Sequence, residues 1–197
     1  MSDYTKATNF ATKDTLSTGN PSKIIKGTEI DTEFNAISSA ISSKADTSDL
    51  TSLSGRVIQV VQSVSTSTAS TSASGSYVTT GHSASITPTS ASSKILVTVT
   101  FSMKNSAGYD SGFTIYRNST NLAGTATNFA HAGTYAGGET EFACSMQYLD
   151  SPASTSSTTY TVYMLNPGSP STLTYNIGQG NGSQTGAAVI TLLEITQ

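Results

Sequence analysis

Beyond serine and the carboxylates, two histidines and one cysteine are what 197 residues offer for nucleophilic or metal chemistry. Neither His82 nor His131 stands in an H-E-x-x-H or any other metal-ligand spacing. A serine nucleophile needs the G-x-S-x-G elbow. No such match occurs, although serine is abundant enough to make a chance near-match cheap. Cys144 falls on an alternating strand face, where a buried apolar thiol outweighs a nucleophile. The phosphate-cradling G-x-x-x-x-G-K-[ST] is absent, and Gly178, Gly180 and Gly182 join two strands as a turn. The expectation is therefore a non-enzymatic protein without metal or cofactor.

Carboxylates offer slightly more. Glu139 and Glu141 lie two apart at a strand start and could share a face, as a pair or as ligands of a hard cation. The plainer alternative is two solvated edge charges that discourage unwanted strand pairing. Glu194 interrupts an apolar strand, so it either reaches the surface near the chain end or pairs with a base such as Arg56. For recognition, two loops stand out: 105–111 with Tyr109 and Asp110, and 128–138 with Phe129, His131 and Tyr135. Aromatic rings and amides on glycine-rich loops suit carbohydrate; ordinary polar loops with one tyrosine folded inward are the alternative. The sequons at Asn118 and Asn181 carry no meaning in a protein assembled in a cytoplasm.

Composition narrows the class. Charged residues make up 11% and the formal net charge is −3, with a pI near 5.2. Nine basic residues are too few for a nucleic-acid footprint, and Lys6, Lys13, Lys23, Lys26 and Lys44 all fall in the first fifty positions. One cysteine excludes an intrachain disulfide. The start lacks the basic region and apolar core of a secretion signal, and no apolar run approaches the roughly 20 residues that span a bilayer. Low charge, nine tyrosines and six phenylalanines favour a β-rich fold over disorder, with threonine in strands and serine and glycine in turns.

The elements follow from period and punctuation. Residues 1–27, broken by Gly19-Asn20-Pro21, read as an extended arm that orders against a partner. A helix is expected from an N-cap at Thr28, with Ile30, Phe34, Ile37 and Ile41 forming a narrow apolar seam. Such a seam packs on copies of itself or, alternatively, on its own β domain. Residues 28–55 are thus assigned to an associating helix and linker, which the resemblance given below makes a trimerising one, and 56–197 to a β-sandwich head. The 65–76 tract of Ser, Thr, Ala and Gly is a loop or weak edge. Strands are expected at 94–104, from Phe113, from Phe142, from Tyr160, from Leu173 and over 187–196, each closed by turn residues.

A further short strand is expected at 56–61, and it and the 187–196 strand lack a polar face. Val57, Ile58, Val60 and Val61 near the start of the head, and Val189, Leu193 and Ile195 at its end, are apolar on both sides. Either both are central and loop-covered, or their outer faces meet another subunit.

The stretch from Gly19 through Asp46, which includes Ile24-Ile25-Lys26-Gly27 and Phe34-Asn35-Ala36-Ile37, resembles the N-terminal segments of tail-fibre proteins from short-tailed phages of marine bacteria and cyanobacteria. Three further patches (80–88, 93–97 and 111–118) resemble a domain repeated among phage fibre and virion proteins, similar to the trimeric jelly roll of the tumour-necrosis-factor and complement type. The resemblance implies an antiparallel jelly-roll β-sandwich behind an N-terminal arm and a short coiled-coil helix. It also implies a homotrimer localised to the virion, with Tyr4, Phe10, Ile24 and Ile25 anchoring the arm on other tail or capsid proteins. The head would point outward and adhere to a host glycan or envelope protein. The alternative is a structural decoration or attachment protein without a receptor.

Overall fold

The structure, a computed structural model, describes residues 4–44, 53–107, 109–126, 128–133, 138–167, 171–177 and 186–197. The chain divides into two compact units, 1–53 and 54–197.

In the first unit, helix α1 (Phe10–Asp14) and a 3-10 turn at Pro21–Lys23 precede helix α2 (Gly27–Ser42). Where an extended arm was expected, the chain is folded back on α2 by named bonds. The Glu33 carboxylate accepts the Ala7 and Thr8 N–H groups at 3.0 and 2.9 Å. The Lys13 ammonium meets Glu29 at 2.8 Å and donates to the Ser22 and Ile24 carbonyls. The N-cap of α2 is Lys26, two residues before the expected Thr28. Glu29 at the third helical position explains the shift, because its carboxylate takes the Lys26 N–H at 2.9 Å and satisfies a donor the helix cannot.

The second unit is an antiparallel β-sandwich. Its strands are β1 (Val57–Ser65), β2 (Ala69–Thr71), β3 (Tyr77–Ile86), β4 (Lys94–Asn105), β5 (Ser111–Arg117), β6 (Thr120–Asn121), β7 (Ala130–Ala132), β8 (Thr140–Asp150), β9 (Thr158–Leu165), β10 (Leu173–Tyr175) and β11 (Ala188–Ile195). One sheet runs β1-β11-β4-β8; β10 continues the line of β11 along the same edge of β4, and β2 pairs with β10. The other runs β3-β9-β5, with β6 and β7 end to end on the far edge of β5. The first and last strands of the head are therefore neighbours, and β1 is an edge.

The inward positions of both sheets build one core. In β4 these are Ile95, Val97, Val99, Phe101 and Met103, all buried. Phe101 packs against Phe113 and Tyr175 with ring centroids 4.6 and 4.9 Å apart. Burying each such side chain contributes about 1.5–3 kcal/mol. Several polar groups inside are paired. Asp150 takes the Arg117 guanidinium at 2.8 Å and the Tyr160 hydroxyl at 2.7 Å, tying β8 to β5 and β9. Asn105, Asn166 and Asn176, all fully buried, bond Ser111, Ser171 and the Ser65 and Ser67 carbonyls, and so pin the loops to strand ends.

Candidate functional site

The outer face of the β1-β11-β4-β8 sheet carries the first candidate surface. Register places Val60 opposite Leu193, Leu193 opposite Leu96, and Leu96 opposite Leu149. Side chains alternate across a pleat, so these four line up outward in one row perpendicular to the strands. Val60 is 61% exposed and Leu149 47%, while Leu96 and Leu193 are half-buried by their neighbours. The next row, Gln62, Thr191, Thr98 and Gln147, is polar, and Gln62 donates to Thr191 at 3.3 Å. Beyond it Val64 lies beside Val189. Ile58 and Ile195 extend the apolar ground at the opposite end. Of the residues expected at an interface, Val60, Val189, Leu193 and Ile195 share this outer face with Ile58. Val61 turns inward against the core, and Val57 is exposed beside a bulge. Leu96 and Leu149 complete the row; each interrupts an otherwise polar face.

Helix α2 presents a second apolar stripe. Phe34 is 64% and Ile41 67% exposed, Ile30 is exposed as well, and Ile37 is half-buried. The flank of the helix next to this stripe carries Glu33 and Ala40, both buried. Of the arm residues, Tyr4, Ile24 and Ile25 are exposed and Phe10 is half-buried.

The two expected recognition loops converge at one end of the head. Pairing of β5 with β7 sets Gly112 opposite His131, and the His131 imidazole lies 3.7 Å from the Asp110 carboxylate. Tyr109 is exposed beside them. Phe129 folds inward and packs against Tyr148 at 5.2 Å, while Tyr135 lies outside the described residues. Glu139 is engaged by Lys104 at 2.5 Å, and Glu141 sits opposite Lys104 in the ladder. Among the described residues no cluster of three His, Cys, Asp or Glu side chains is arranged to hold a metal.

Glu194 departs from expectation. It is fully buried, and its partners come from the β3–β4 loop: the Thr89 N–H and hydroxyl both donate to it at 2.7 Å. Burial acts to raise its pKa, but these bonds and the Ser90 N–H outweigh that and hold the carboxyl below its ordinary range. A short hydroxyl-rich loop neutralises by hydrogen bonding what an arginine was expected to neutralise by charge.

His82 is buried in β3, where the Tyr175 hydroxyl lies 2.7 Å from Nδ1 and the Ser63 carbonyl 3.3 Å from Nε2. A carbonyl only accepts, so Nε2 carries the proton and Nδ1 accepts from Tyr175. Burial pushes the pKa down against the Ser63 bond, favouring the neutral ring. Cys144 faces Phe101 across the β4–β8 ladder, and burial pushes its thiol up, away from the thiolate a nucleophile needs.

No protein-family model matches this chain, and no curated protein matches it. The fold therefore rests on its own geometry: a mainly β protein of two antiparallel sheets with a short N-terminal helical unit.

Proposed function

We propose that this chain is the subunit of a homotrimeric phage virion protein, a short tail fibre or knob held on the particle by its N-terminal unit. Its head is a jelly roll used in adhesion to the host surface. The observation that carries this reading is the exposed apolar row Val60–Leu193–Leu96–Leu149 on the outer face of one sheet. A monomeric sandwich facing water keeps that side polar, whereas a row of this kind is completed by a second copy. The exposed Phe34 and Ile41 of α2 extend the same logic to the N-terminal unit. The strand order supports the jelly-roll reading: β1-β11-β4-β8 faces β3-β9-β5-β7, with chain ends paired and the head's consecutive long strands alternating between sheets. The Asp110–His131 end offers polar groups on loops for contact with a host molecule.

Locating the chain in a cryo-EM map of its particle, together with binding of the purified protein to host cells, tests the reading. Three-fold density at the tail and saturable cell binding are expected. Density on the capsid without cell binding would replace adhesion by decoration, and density without three-fold symmetry would overturn the trimer.

A further inference from the structure

The outer face of the second sheet, opposite the apolar row, carries three tyrosines from three strands: Tyr77 on β3, Tyr163 on β9 and Tyr116 on β5. Register sets Tyr163 opposite Thr79 and Thr114, and Tyr116 opposite Thr161, so all these side chains emerge on the same side. The rings of Tyr116 and Tyr163 stack with centroids 4.0 Å apart, and Tyr77 meets Tyr116 at 6.0 Å with planes inclined by 62°. The three rings make a corner rather than a flat patch, and each is half-buried, with part of its surface open to solvent.

The corner is fixed by amides at the edge of the sheet. The Tyr77 hydroxyl donates to Asn128 Oδ1 at 2.6 Å, and Asn121 Oδ1 accepts from the Thr114 hydroxyl at 2.6 Å. The Asn128 side chain lies directly over Gly112, where a Cβ would come within 2.7 Å of its Cγ, so Gly112 makes room for the amide. No Asp, Glu or Lys stands in β3, β5 or β9. The only Arg, Arg117, points to the other side of its sheet, to Asp150. Rings with apolar bodies and polar tips, fixed amides and strands without a free charge define the ligand. The nearest charged groups, Asp110 and His131 beside Gly112, face each other at 3.7 Å; an ionic ligand would have to compete with that pair, and a purely apolar one would strand the hydroxyls.

We propose that this tyrosine corner binds a neutral carbohydrate, a hexose unit whose C–H face lies on the rings while its hydroxyls bond the phenols and amides. The inference rests on the adhesion reading for its biological setting but not for its chemistry. It moves the recognition surface from the Asp110–His131 loops to a sheet face. Burial, with the neighbouring Tyr77 and Tyr163, pushes the Tyr116 hydroxyl pKa up, so the phenol stays a neutral donor at any working pH.

Titrating the full chain with maltopentaose, cellopentaose and galactobiose, followed by amide chemical shifts, tests this. At least one sugar should shift resonances of β3, β5 and β9. Tyr163→Ala should weaken binding by roughly tenfold or more, equivalent to about 1.4 kcal/mol, whereas Tyr109→Ala leaves it unchanged. Should Tyr163→Ala fold poorly, Asn128→Ala serves, with the same expected direction. Shifts confined to 105–111 and 128–133, no binding by any of the three sugars, or tighter binding of trigalacturonate would overturn the assignment. A protein that binds cells but none of these sugars would leave adhesion standing and remove the tyrosine corner as its basis.

Discussion

Among the described residues, Glu194 and His82 are buried ionisable groups whose pKa values are held below their ordinary values, and both make the head acid-sensitive in the same direction. For each, the unfolded chain takes up its proton before the folded one. The His82 contribution is present above about pH 6.5 and the Glu194 contribution above about 4.3, and each is lost as pH falls through the depressed folded value. Denaturant midpoints measured between pH 8 and 3 should therefore fall in two stages. His82→Phe should abolish the upper stage and cost about 1–3 kcal/mol at pH 8, because the Tyr175 hydroxyl loses its acceptor. Glu194→Ala should cost about 2–3 kcal/mol at neutral pH by stranding the Thr89 donors, and should abolish the lower stage. A flat profile in the parent protein would contradict both assignments.

At the scale of elements, Val99 lies at the centre of β4 and is almost wholly buried. Val99→Asp should abolish soluble expression, since an unpaired carboxylate would enter a core with no donor beside it; normal yield and melting would contradict the placement of β4. This strand was also the most legible part of the chain, because its inward residues from Ile95 to Met103 are all apolar and its outward ones, Leu96 apart, are polar. By contrast β3 escaped detection. It is half Thr, Ser and Gly, its inward residues are Val78, His82, Ala84 and Ile86, and a bulge around Gly81, at φ +76°, breaks the period between Val78 and His82. Period reading sees large apolar residues, and β3 is held instead by its ladder to β9 and by the Thr80 hydroxyl on the Val162 carbonyl. The helix seam was visible at its spacing. The fold-back of the arm was not, since Glu33 in the sequence is one more helical carboxylate until the Ala7 and Thr8 N–H groups reach it. Tyr77, Tyr116 and Tyr163 stand 39 and 47 residues apart and meet only through strand register.

At the scale of the molecule, both units expose apolar stripes, which the proposed trimer would cover with the same stripe on another copy. The two unpolar strands suggested this from sequence; Leu96 and Leu149 join them only once β4 and β8 are laid side by side. If the row is an interface, Val60→Asp with Leu149→Asp should dissociate the heads while leaving sheet content by circular dichroism unchanged, because neither side chain enters the core. Phe34→Asp should weaken assembly through the helix in the same way. The most direct measurement is sedimentation equilibrium of the full chain at micromolar concentration. A mass three times the 20.3 kDa of one chain is expected. A single folded species at 20.3 kDa would contradict the account.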